Sequence, residues 1–289
     1  MLGGETGEIT ALVYAAWAAA DMATGAPVTA ARRLRDALAA VGPSCPGLAA
    51  QLMSTSADLR RSLEGPTDDV LAELTAAAAA LDATDLLVAR AELHLALGSA
   101  WQERAGGDPA ALGPAVEQYL TVLRLITIDT AAEVFAAAQV NLATAYLAMP
   151  MNQASDQLRV GVAIQGLRTA LTVYTAREHP QPWSSTQLNL ANALVYAPSA
   201  HRRDNLVEAV ARFQQVAATR DPRADPIGHA RALAGQGNAL AQLGAFEQAV
   251  PVLNRAQTIF GEGGADDEAA VVRELLEEIA HRRPASRPT

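Results

Sequence analysis

The stretch Gly237-Asn238-Ala239-Leu240, followed by Gly244-Ala245-Phe246-Glu247-Gln248-Ala249, decides how this 289-residue chain is read. Gly237 and Ala249 are 12 residues apart, with a Leu243-Gly244-Ala245 turn between them. Small residues at these two places let two antiparallel helices approach closely, and a large apolar residue one turn away fills the space beside each crossing. The same five-residue pattern occurs three more times. It reads Leu97-Gly98-Ser99-Ala100-Trp101, Leu142-Ala143-Thr144-Ala145-Tyr146 and Leu190-Ala191-Asn192-Ala193-Leu194. Its small second residue falls at 98, 143, 191 and 237, giving intervals of 45, 48 and 46. Each copy is followed by a second apolar-periodic stretch, starting near Ala115, Ala163, Ala209 and Ala249. Recurrence at this spacing is the mark of a helical array in which each pair buries its apolar face on the next.

Breakers fall between the expected helices. They are Gly106-Gly107-Asp108-Pro109, Met149-Pro150, Pro180-Gln181-Pro182, Pro198-Ser199 and Asp221-Pro222. Upstream of residue 85 the periodicity predicts less regular helices over 7–24, 28–41, 46–63 and 67–82, with Thr67-Asp68-Asp69 capping the last. The expected organisation is a degenerate helical region over 1–84 that begins the array and four helix pairs over 85–260. A capping helix follows within 265–282, its outer face carrying Arg273, Glu274, Glu277 and Glu278. The Pro- and Arg-rich tail, 283–289, is expected to be disordered. Pro251 lies inside a helical stretch and predicts a kink there.

Composition agrees with an all-α chain. It holds 65 alanines and 22 arginines, no lysine, 50% hydrophobic residues and 4% aromatics, with a net charge of −9. Alanine favours helices and is depleted in strands. The apolar fraction is too high for a disordered chain. The acidic balance lacks the electrostatic footprint of a nucleic-acid binder. The apolar run Ile9–Ala20 is 12 residues long, too short to span a membrane, and is preceded by Glu5 and Glu8 where a secretory leader carries positive charge. It reads as a buried helix. Cys45 is the only cysteine, so no intrachain disulfide forms, and a reducing, cytoplasmic setting is expected. The Pro43-Ser44-Cys45-Pro46-Gly47 stretch reads as a turn.

The repeated units resemble the tetratricopeptide repeat family. The fourth matches its ordinary spacing. The others have longer separations, 17 from 98 to 115, 20 from 143 to 163 and 18 from 191 to 209, and are similar to a long-period variant. Pro180, Trp183, Thr186-Gln187, Asn189-Leu190 and Ala193 fit that variant's signature. Phe135, Gln139, Asn141-Leu142 and Ala145 repeat most of it, and Pro226 and His229 keep its beginning. Such repeats are found beside caspase-like protease domains and in bacterial regulatory proteins. The resemblance implies a right-handed α-solenoid whose first helices line a concave surface. It carries Glu92, Ser99, Gln102 and Glu103, Thr144, Asn192 and Tyr196, and Arg231, Asn238 and Gln242 onto that surface. The family's carboxylate-gripping mode needs lysines, which this chain lacks.

Amide side chains suit a peptide because they donate and accept together, and Arg231 suits a carboxylate. Asn141 and Asn189 are expected to bond a neighbouring helix or loop backbone, Trp17, Trp101 and Trp183 to pack, and His94 to be a packed, hydrogen-bonded histidine. Arg32, Arg33, Arg35, Arg60 and Arg61 suit either a solvated face or an acidic partner. No His-Glu-x-x-His pattern, phosphate loop or nucleophile–base pair is legible, so no metal or cofactor is expected. Three functions stay open. The first is a non-catalytic scaffold holding a protein or peptide. The second is an enzyme or small-molecule receptor, with Tyr196, Arg231, Glu92 and Glu103 as its first candidates. The third is a homodimeric assembly element.

Overall fold

The computed structural model describes residues 2–41, 45–150 and 156–282. Described residues form α-helices, with one 3-10 turn at Pro109–Ala111, and the chain is an all-α helical-repeat solenoid. It divides into two compact units, residues 1–149 and 150–289. The first unit holds α1 (Leu2–Ala23), α2 (Pro27–Ala40), α3 (Pro46–Glu64), α4 (Asp68–Ala80), α5 (Leu87–Arg104), α6 (Leu112–Leu125) and α7 (Ala132–Ala148). The second holds α8 (Asp156–Ala170), α9 (Pro180–Tyr196), α10 (Arg202–Thr219), α11 (Pro226–Gln242), α12 (Phe246–Glu262) and α13 (Asp266–Arg282). Within each unit every helix packs on the next in sequence.

Local chemistry sets the boundaries. Proline opens α2, α3, α9 and α11, where its fixed φ suits the first helical turn and its missing N–H leaves nothing unpaired. Thr67 caps α4 by accepting from the Val70 N–H, and Asp225 caps α11 by accepting from the Gly228 N–H at 2.8 Å. Between α11 and α12, Gly244 takes φ +77° and the Ala245 N–H bonds back to the Leu240 carbonyl, which closes the turn in three residues.

The close-approach positions are buried where the repeat pattern puts them. Ala143, Ala191, Ala115, Ala163, Ala209 and Ala249 are all inaccessible to solvent or nearly so. A methyl group on Gly98 would strike the Tyr119 ring of α6. On α11, a methyl on Gly235 would strike the Phe213 ring of α10, and one on Gly237 would strike Leu253 of α12. Helix α11 is therefore pressed from both neighbours at glycines two residues apart. Trp183 and His229, which head equivalent turns of α9 and α11, are both buried.

Three local expectations are corrected. Ile9–Ala20 lies within α1, but that helix is covered on one side only. Ala11 and Ala18 are buried against α2 and α3, whereas Ile9, Leu12, Val13 and Trp17 face solvent. Trp17 meets the Tyr14 ring edge-on and the Arg33 guanidinium, 5.0 Å from its ring centre. The arginines at 33, 60 and 61 are held by acids of the same unit rather than left open. Arg33 pairs with Asp21, Arg60 with Glu64, Asp69 and Glu73, and Arg61 with Asp58 and Glu103. Pro46 and Gly47 belong to α3 rather than to a turn, while 42–44 lie outside the described residues, as does the 283–289 tail. Helix α12 runs on through Pro251, which sits on its exposed side, to Glu262.

Steric demand at the glycines predicts opposite signs for one chemical change. Gly161→Ala in α8, where a Cβ meets nothing, raises unfolding free energy by up to about 1 kcal/mol through helix propensity. Gly235→Ala lowers it by about 1–2 kcal/mol, because the overpacking against Phe213 exceeds that gain. Urea denaturation of both variants checks this, and a stabilised Gly235→Ala would show that no close approach exists there.

Candidate functional site

In the second unit, alternate helices α9, α11 and α13 line a groove of 590 Å³. Helical periodicity selects what each contributes. Asn192 and Tyr196 lie one turn apart on α9, and Arg231, Ala234, Gly235 and Asn238 share a face of α11. Helix α13 supplies Asp267, Glu268, Val271, Val272 and Leu275, and Phe260 of α12 closes the floor. The floor is apolar and the rim is polar. Tyr196 is 69% exposed and Val271 65% exposed, so the walls present large apolar groups to solvent.

The rim is organised by hydrogen bonds. The Arg202 guanidinium donates to Gln242 Oε1 at 2.6 Å, Gln242 Nε2 donates to Asn238 Oδ1 at 3.2 Å, and Asn238 Nδ2 donates to the Tyr196 hydroxyl oxygen at 3.2 Å. Donation runs one way along this chain, so the Tyr196 O–H ends it as a donor available to an incoming acceptor. On the other side, Arg231 donates to Glu268 at 2.7 Å, and that hydrogen bond holds the Glu268 carboxyl below its ordinary range. Five of the ten candidates, Asn192, Tyr196, Arg231, Asn238 and Gln242, thus fall at or beside one groove. The contribution of α13 is not legible in the repeat pattern. Its signal is Val271, Val272 and Leu275 at helical spacing beyond the last repeat, in a segment read as a polar-faced cap.

The other five belong to the first unit, and four of them, Ser99, Gln102, Glu103 and Thr144, are tied to one another or to structural partners. Gln102 Nε2 donates to Thr144 Oγ1 at 3.0 Å, and the Tyr119 hydroxyl donates to Gln102 Oε1 at 2.8 Å. Asn141 Nδ2 donates to Ser99 Oγ at 3.3 Å, and Ser99 in turn donates to the Leu95 carbonyl. These bonds clamp α5, α6 and α7 together. Glu103 pairs with Arg61 of α3. Glu92 stands apart, in a 350 Å³ depression with Gln51, Thr55 and Leu86. His94 bonds Gln118 at 2.7 Å, as a packed histidine does.

Among the described residues, no group of three or more His, Cys, Asp or Glu side chains is placed to hold a metal ion, and no helix is long and apolar enough to cross a membrane. Cys45 bonds Glu8, and that carboxylate pushes the thiol pKa up, which disfavours the reactive thiolate.

No protein-family profile matches the sequence, and no curated protein is detectably similar to it. Solved structures do match. BtubC (BKLC) from P. vanneervenii superposes with a TM-score of 0.59 over 96% of both chains, at 15% identity. The apo form of RapI gives 0.61 over 96% of this chain and 76% of its own, also at 15% identity. A kinesin light chain of nearly identical TPR-like repeats from Podospora anserina gives 0.54 over 75% of this chain and 97% of its own, at 17% identity. At these identities the likeness is one of fold, a TPR-like helical repeat.

The clamp in the first unit has a pH signature. Tyr119 is wholly buried, and burial pushes its phenol up to about 12. The folded state therefore keeps a proton that the unfolded chain releases near pH 10, so stability is full below pH 10 and falls between about 10 and 12 at roughly 1 kcal/mol per unit. Comparing Tyr119→Phe with the parent by denaturation across that range checks this. A parent with the same alkaline slope as the variant would contradict it.

Proposed function

We propose that the protein is a non-catalytic scaffold that holds a protein or peptide segment in the α9–α11–α13 groove of its second unit. The observation that carries this reading is the pairing of an apolar floor, open to solvent beside Tyr196 and Val271, with a preset row of amide and hydroxyl groups. An open wall suits a segment that enters sideways and places one aliphatic or aromatic side chain on Phe260 and Val272. Asn192 and Asn238 match the alternating donors and acceptors of its backbone, and Arg231 and Glu268 offer one charge of each sign at the rim. The repeat interval of about 46 residues supports reading the first three units as the long-period variant of tetratricopeptide repeats, and the lone cysteine fits a cytoplasmic setting.

Panning a random-peptide phage library on the immobilised protein tests the reading. Enriched peptides share a large apolar residue, and Val271→Arg weakens them by more than about 10-fold, while Tyr196→Ala weakens them by roughly 10-fold. Val207→Arg, on an exposed position of α10 outside the groove, leaves binding unchanged. Failure to enrich any peptide, or equal binding by Val271→Arg, would overturn the proposal.

A further inference from the structure

The outer face of α1 has no covering element among the described residues. From Ile9 to Ala23 its exposed positions are Ile9, Thr10, Leu12, Val13, Ala16, Trp17, Ala19, Ala20, Met22 and Ala23, and none is charged. The large side chains among them are 41–64% exposed. With the alanines they make an apolar face on the order of 700 Å², above what a monomer's surface ordinarily leaves open. We propose that this face pairs with the same face of a second copy of the chain, the two α1 helices packing antiparallel about Ala16.

The order of side-chain sizes along the helix carries the commitment to a second copy. A two-fold axis beside Ala16 sets residue i against residue 32 − i of the other helix. Ile9 then meets Ala23, Leu12 meets Ala20, Val13 meets Ala19, and Ala16 meets itself. Every large aliphatic in the first half of the face is matched by an alanine in the second half. A parallel pairing in register would set Leu12 on Leu12 and leave voids between facing alanines. Small residues at the crossing let the helix axes approach to about 8 Å, the near limit for packed helices. The face approaches the ~800 Å² that each partner contributes to a standard interface.

Charge does not oppose the pairing, although the chain carries −9. Asp21 borders the face, and its charge is taken by Arg33 of α2 at 2.5 Å. Glu8 is set against Thr24 across the axis, not against another acid. The same groups argue against a lipid surface, since membrane-seated amphipathic helices are flanked by Lys and Arg, whereas α1 is flanked by Glu5, Glu8 and Asp21.

Sedimentation equilibrium of the full chain tests the pairing. At about 10 μM the expected mass is twice the 30.1 kDa of one chain. Ala16→Glu sets two carboxylates face to face on the axis and yields the single-chain mass, with helicity by circular dichroism unchanged because the position is exposed. Cysteine variants fix the geometry. In a Cys45→Ser background Ala16→Cys forms an interchain disulfide under mild oxidation, and Val13→Cys crosslinks to Ala19→Cys but not to itself, because only the antiparallel crossing sets 13 against 19 with Cα atoms within about 7 Å. A parent that sediments as a single chain, a dimer that survives Ala16→Glu, or an Ala16→Cys variant that stays uncrosslinked would each overturn the proposal.

Discussion

The closeness of neighbouring helices at residues without side-chain bulk is the constraint on which the molecule rests. A chain with so few aromatics and so many alanines has little apolar area per residue to bury. It compensates by bringing backbones together, so that many small contacts replace a few large ones. Gly98 against Tyr119, Gly235 against Phe213 and Gly237 against Leu253 are the tightest expressions of this, and the buried alanines at 143, 191, 209 and 249 are its milder form. Tyr119, Phe213 and Leu253 each fill the space that one of these glycines leaves open. Those gaps fix the axial register of each helix on the next, and register decides which face of α11 turns toward the groove.

Fold was legible in the sequence because the close-approach residues recur at nearly constant spacing, and because the breakers are proline, glycine and capping acids with one strong local preference each. The four helices expected before residue 85 appear as α1–α4 with boundaries shifted by a few residues. The α1 face was misread because hydrophobicity along a chain records what a helix offers, not whether anything covers it. Ile9, Leu12, Val13 and Trp17 look the same in sequence whether buried or exposed.

The candidate site was legible in half. Asn192, Tyr196, Arg231 and Asn238 follow from the family resemblance, which puts the first helix of each pair on the concave surface, and the structure brings them to one groove. Ser99, Gln102 and Thr144 occupy comparable repeat positions, yet Tyr119 and Asn141 tie them into an interhelical clamp. The same polar residue type is a ligand group or a structural tie according to whether a neighbouring helix holds a partner within hydrogen-bond reach. That partner is set by register between helices, which a linear pattern does not encode. Helix α13 was missed as part of the groove because it follows the last repeat and has no second helix to complete a motif.

The row of bonds from Arg202 through Gln242 and Asn238 to Tyr196 bears on how the groove would recognise anything. Side chains already held in one rotamer have little motional freedom left to surrender when a segment arrives. Recognition on such an edge is governed by fit at first encounter, so the groove would discriminate among segments by shape instead of remoulding itself to each.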